Sequence, residues 1–118
     1  MNLKKRILGL IPARGGSKGI PQKNIRLLND KPLIWYTYDS VLQSEYLTRT
    51  IVSTDNIKIK GICDNLGMDV PFLRPSYLAE DNTPTISVIL HALDEMEKMD
   101  ENYDIVCILQ PTVPFRDE

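Results

Sequence analysis

The chain has 118 residues, 42% hydrophobic and 25% charged, with a formal net charge of −2. That length suits one domain able to bury roughly two-thirds of its unfolded surface, and no run approaches the roughly 20 apolar residues of a membrane span. An acidic balance without a helix-turn-helix, zinc or RNA-binding motif argues against a nucleic-acid partner; Lys4-Lys5-Arg6 leads only to a short apolar stretch broken at Pro12, which is no secretory signal and points to the cytoplasm.

The first apolar run, Ile7 to Ile11 closed by Pro12, reads as a central parallel strand that empties into a loop rich in glycine and cations. Asp30-Lys31-Pro32, followed by Ile34, Tyr38, Val41 and Leu42 at helical spacing, predicts a helix near 31 to 44. Thr50 to Ser53 is short and β-branched, a second strand, and Asn56 to Leu66 reads as a helix ended by Gly67. Met68 to Leu73 is expected as a third strand. Thr83-Pro84 opens a third helix with Ile86, Ile89, Leu90, Leu93 and Met96 as its apolar face and an acidic, solvated far end. Ile105 to Leu109 is the fourth strand, with Cys107 as a small core residue; Cys63 and Cys107 suggest neither a disulfide framework nor a zinc site.

Strands alternating with helices through short connections imply right-handed crossovers and an α/β fold: a Rossmann-like three-layer sandwich with a mainly parallel sheet. Ligands of such sheets bind beyond the carboxyl ends of the strands. The chemistry-bearing segments all fall there: Pro12 to Asn24, Ser53 to Asp55, Arg74 to Asp81 and Gln110 to Arg116.

The loop after the first strand is built for an anion. Gly15, Gly16 and Gly19 allow close backbone approach, and successive N–H groups there, with Ser17 among them, can line a nest for phosphate oxygens. Arg14, Lys18 and Lys23 supply counter-charge for a nucleoside triphosphate, and the positive residues concentrate at this end, eight of fourteen lying between Lys4 and Lys31 against the single acid Asp30. Asn24 offers a donor and an acceptor to a ribose or base. The spacing matches neither the P-loop nor the dinucleotide fingerprint. Arg74 precedes Pro75, which favours an extended backbone projecting its side chain from a strand end. Asp55 is expected to cap the second helix or assist a metal; Asp81 to cap the third helix or order the loop before it. His91 has no ligand-spaced neighbours and reads as a packed or solvated histidine.

Four segments together resemble the CMP-N-acylneuraminate (sialic acid) cytidylyltransferases, a group of sugar-activating nucleotidyltransferases: I-P-A-R-G-G-S-K-G-I-P-x-K-N at Ile11 to Asn24, V-S-T-D at Val52 to Asp55, R-P-x-x-L-A-x-D at Arg74 to Asp81, and L-Q-P-T-x-P-x-R at Leu109 to Arg116. The resemblance implies transfer of CMP from CTP to a nine-carbon keto-acid sugar, with pyrophosphate released. It implies Arg14 and Lys23 as catalytic residues, Lys23 near the α-phosphate, and a CTP site of Arg14, Gly15, Gly16, Ser17, Lys18, Lys23, Asn24, Arg74 and Ser87, with Arg74 and Ser87 at the cytosine. Gln110 and Thr112 would face the sugar, while Val113 departs from the usual serine. It also implies Mg²⁺, its ligands mainly outside this chain, so that no metal ligand is nominated here, and a homodimer for the full-length enzyme. Residues 1–118 then correspond to the nucleotide-binding half without the sugar-binding and dimerisation half, an apparent truncation expected to bind CTP weakly and to transfer nothing alone. Cytidylyltransferases for legionaminic or pseudaminic acid share the loop, and a nucleotide-binding module without turnover is the reading from a different class.

Overall fold

The structure is a computed structural model, and it describes residues 5–15, 27–28 and 31–110. Three parallel strands form its sheet in the order β4-β1-β5: β1 is Ile7–Pro12, β4 is Arg49–Ser53 and β5 is Ile105–Ile108. β1 lies in the middle, with Leu10 opposite both Ile51 and Ile108. A separate antiparallel pair joins β2 (Leu27–Leu28) to β3 (Lys31–Pro32). Among the described residues the helices are α1 (Leu33–Leu42), α2 (Ile57–Asn65) and α3 (Thr85–Lys98), with a short 3₁₀ turn at Ser76–Leu78. None is long and apolar enough to cross a membrane.

Strand alternation sends the core to both faces of the sheet. Ile11, Ala13 and Val52 pack with Ile34 and Tyr38 of α1 and Ile59 and Cys63 of α2. Leu8, Leu10 and Ile51 point the other way, onto Val88, Ala92 and Met96 of α3. The result is a helix-sheet-helix sandwich. Gly9 faces the α1 and α2 side, where a Cβ would come within 2.9 Å of Thr50 Oγ1 and 3.0 Å of Leu47 Cδ1. Glycine is therefore dictated by space at the centre of β1.

Four details differ from the sequence reading. Lys31 and Pro32 pair as β3, so α1 starts at Leu33 and ends at Leu42, inside the expected 31 to 44; Asp30 lies outside the described residues. Met68 to Leu73 is not a strand. Pro71 has no N–H to give a ladder, and the backbone of the run is bonded to that of the β4 segment only at Val52 N–H to Asp69 O (2.9 Å) and, just beyond it, Arg74 N–H to Thr54 O (2.8 Å), with one parallel bridge between Thr54 and Leu73. On α3 the buried stripe is Val88, Ala92 and Met96, flanked by partly buried Ile89 and Leu93, whereas Ile86 and Leu90 are exposed. The small Ala92 at the centre lets the helix lie close to Leu8 and Leu10, which turns residues 86 and 90 outward. Finally, Cys107 is only half-buried, while Cys63 is the fully buried cysteine; burial pushes its thiol up to about 11, so it is protonated at neutral pH.

Gly67 does end α2, in the left-handed region at φ 77°. At the opposite, amino-terminal edge of the strands, Arg49 forks onto Asp69 (2.7 and 3.1 Å) and reaches Glu101 at 3.0 Å. Tyr103 donates to the same Glu101 carboxylate, and Arg6 lies over the Tyr103 ring at 4.8 Å. This network joins the starts of all three sheet strands.

Candidate functional site

The carboxyl ends of β1, β4 and β5 share one edge because the strands are parallel, and α3 begins at that edge because it runs back along the sheet. Arg14, Gly15, Asp55, Arg74, Ser87 and Gln110 follow or face these ends, as the sequence indicated. Gly16, Ser17, Lys18, Lys23, Asn24 and Thr112 lie outside the described residues.

The segment Ser53 to Asn56 at the end of β4 organises this edge. Ser53 O accepts from the Ala13 amide at 2.9 Å, which extends the β1 pairing by one residue. Asp55 Oδ1 accepts from the Gly15 amide at 2.9 Å, pinning the exit of β1 by a charge-assisted bond. Gly15 also lies against Asn56: a Cβ there would meet Asn56 Nδ2 at 2.5 Å and its Cβ at 2.7 Å. Here a glycine serves close approach.

The expected capping roles are corrected. Asn56, not Asp55, caps α2, its Oδ1 accepting from the Ile59 amide at 2.9 Å. The residue ahead of α3 is Pro84, without a side-chain cap, and Asp81 instead pairs with Arg14, Oδ1 to Nη1 at 3.0 Å. The turn before α3 is held by Thr83 Oγ1, which accepts from the Glu80 amide at 2.9 Å.

Arg74 does project from the extended segment, but inward. It is 4% exposed, with Nε donating to Ser53 Oγ (3.0 Å), Nη2 to Ser53 O (2.7 Å) and Nη1 to Leu78 O (3.0 Å). Burial pulls its pKa down; Asp55 works against that shift and Arg14 adds to it. A guanidinium has five N–H donors in a fixed fork. Two of the Arg74 donors thus hold it against β4 and a third against the Ser76–Leu78 turn, and the fork orients the remaining two. The segment Ser53 to Asp55 is marked in the sequence by the V-S-T-D run, but a serine ending a β-branched strand gives no sign that its partner is Arg74. Ser87 is half-buried in the first turn of α3, and Gln110 is exposed just past β5.

His91, one turn beyond Ser87, packs edge-on against Phe72 at 5.2 Å, with Nε2 3.8 Å from Glu95. Burial draws its pKa below the usual value, with Glu95 opposing and Arg74 reinforcing the shift. It is a packed histidine.

Comparison with known proteins adds a family to this geometry. The family model described as Cytidylyltransferase matches residues 8–118. The chain belongs to the cytidylyltransferase family. Curated relatives of this cytidylyltransferase-family chain include the CMP-N,N'-diacetyllegionaminic acid synthase of Legionella pneumophila, 45% identical over 111 residues covering 94% of the chain and 48% of the relative. The N-acylneuraminate cytidylyltransferase of Escherichia coli O18:K1:H7 is 42% identical over 115 residues, 98% of the chain and 26% of the relative. The pseudaminic acid cytidylyltransferase of Campylobacter jejuni is 36% identical over 108 residues, 92% of the chain and 47% of the relative. The chain thus spans between about a quarter and a half of these relatives.

Solved structures share the fold. CMP:2-keto-3-deoxy-manno-octonic acid synthetase, in a complex with CTP, superposes with a TM-score of 0.76 at 22% identity, over 90% of this chain and 40% of that one. A cytidylyltransferase from Leptospira borgpetersenii gives 0.67 at 23% identity, over 91% and 42%. The Rossmann-like nucleotidyltransferase architecture is therefore that of this cytidylyltransferase-family chain as well.

Proposed function

We propose that this protein supplies the nucleotide-binding part of an enzyme that transfers CMP from CTP to a nine-carbon keto-acid sugar of the acylneuraminate class. The observation that carries the reading is the placement of Arg14 and the fixed Arg74 fork at the carboxyl edge of the sheet, in a chain of the cytidylyltransferase family. Arg14 would hold phosphate oxygens, and Lys23 would stabilise charge growing at the α-phosphorus. The sugar's anomeric hydroxyl attacks that phosphorus and gives up its proton to solvent, a new P–O bond forms, the bond to the β-phosphate breaks, and pyrophosphate leaves. Positioning and charge neutralisation supply much of such a rate. Arg74 would donate to the O2 and N3 acceptors of cytosine; uracil carries a hydrogen on N3 and could not accept there.

Mg²⁺ would neutralise charge on the triphosphate. Among the described residues no ligand set for it converges, since Asp55 already accepts the Gly15 amide and Asp81 pairs with Arg14. We place the enzyme in the cytoplasm as a homodimer, with Gln110 and Thr112 on the sugar side.

A second reading, legionaminic acid as the acceptor, is favoured by the 45% identity to the Legionella synthase. Release of pyrophosphate from CTP, UTP, ATP and GTP with N-acetylneuraminate, diacetyllegionaminate and pseudaminate as acceptors tests both. We expect turnover with CTP and one of the three sugars from the full-length enzyme, and CTP binding without turnover from residues 1–118 alone; equal use of all four nucleotides rules out base selection.

A further inference from the structure

The Arg14–Asp81 ion pair joins the residues just after β1 to the turn before α3, at the carboxyl edge of the sheet. Water reaches both partners, the side chains being 29% and 53% exposed. Solvent screens such a pair and leaves it weak. A phosphate chain offers the same guanidinium several oxygens and roughly four negative charges, with a geometry suited to bidentate contact. The carboxylate and the phosphate therefore contend for one group. Arg14 also has a like-charged neighbour, since its field disfavours the charged form of Arg74 while Asp55 opposes that effect.

We propose that Asp81 is a competitor built into the site: its carboxylate exchanges with ligand phosphate on Arg14 and thereby holds down the affinity for polyphosphate. This rests on the reading of the edge as a nucleotide site and deepens it. Exchange gives the site a way to let pyrophosphate go, because a carboxylate stands ready to take back the guanidinium. An acid beside a phosphate site would otherwise only repel its ligand.

The test is a double-mutant cycle read by calorimetric titration of the complete chain with pyrophosphate and, separately, CTP at fixed Mg²⁺. Asp81→Asn is expected to lower the pyrophosphate Kd about two- to fivefold, the range an exposed ion pair can account for. Asp81→Glu, which keeps the charge, is expected to leave it near the wild-type value. In an Arg14→Ala background Asp81→Asn is expected to change nothing. Weaker or unchanged binding in Asp81→Asn overturns the proposal, as does equal tightening with Arg14 absent, which would mean simple repulsion, or equal tightening by Asp81→Glu, which would mean disturbed packing. Failure of CTP to bind any better than pyrophosphate sinks the cytidine reading alone; failure of both ligands to bind the wild type sinks the two together.

Discussion

Arg74 and Ser53 are joined twice, Nε to the serine Oγ at 3.0 Å and Nη2 to its carbonyl at 2.7 Å, so one residue at the end of β4 sets the plane of a buried guanidinium. Ser53 is itself fully buried, which removes water as a substitute partner. The orientation of Arg74 is consequently a property of the fold and exists without any ligand contact.

Ser53→Ala removes the Oγ acceptor and leaves the buried Nε–H unmet. Loss of about 1–3 kcal/mol of stability is expected, the usual cost of an unsatisfied buried donor. Urea denaturation measures it. Discrimination of CTP from UTP is expected to fall along with stability, whereas Ser53→Thr, which keeps a hydroxyl, should retain most of both.

Gly15→Ala drives a methyl into Asn56, the cap of α2. A cost of about 1–3 kcal/mol is expected from overpacking, together with weaker CTP binding as the pinned loop shifts. In an Asn56→Gly background, where the opposing side chain is gone, the added cost of Gly15→Ala should shrink by at least half. An undiminished cost would place the strain elsewhere.

Arg49→Lys keeps the charge but loses the fork onto Asp69 and the reach to Glu101. These groups are partly exposed, so the expected loss is modest, about 1 kcal/mol. The network lies at the amino-terminal edge of the strands, away from Arg14 and Arg74. CTP affinity should therefore be unchanged while the denaturation midpoint falls, and a change in affinity would contradict the division between the two edges.

The histidine gives stability a pH dependence of known sign. Burial lowers the pKa of His91 in the folded protein below its unfolded value near 6.5, so the unfolded chain binds more protons between the two values. Stability is full above the unfolded pKa and declines as pH falls through the folded one. Urea midpoints measured from pH 7.5 to pH 5 should drop on the acid side, and His91→Gln should flatten that drop. Glu101, held below the usual carboxylate range by Tyr103 and Arg49, acts in a more acidic window: its stabilisation is present above the unfolded value of 4.5 and is lost below it.

Elements whose signal is local were legible in the sequence. The five-residue apolar run into Pro12, the β-branched end of β4 and the left-handed Gly67 each follow from neighbours in the chain. The misread parts depend on partners far along the chain. Asp55 and Asn56 are equally good caps by type, and only the arrival of Gly15 assigns the first to a loop amide and the second to α2. Ile86 and Leu90 have the hydrophobicity of a core face, yet Ala92 decides which side of α3 meets the sheet. Met68 to Leu73 has a strand's composition except at Pro71, and one missing N–H outweighed the rest.

That proline has a directional consequence. Beside β4 the outer position is taken by a segment that is bonded too sparsely to act as a template, because Pro71 brings no N–H to the β4 carbonyls. At the other flank β5 is half-exposed and has one strand neighbour among the described residues. The open edge of the sheet therefore lies beside β5, next to Gln110, so a strand added there would sit against the flank proposed for the sugar.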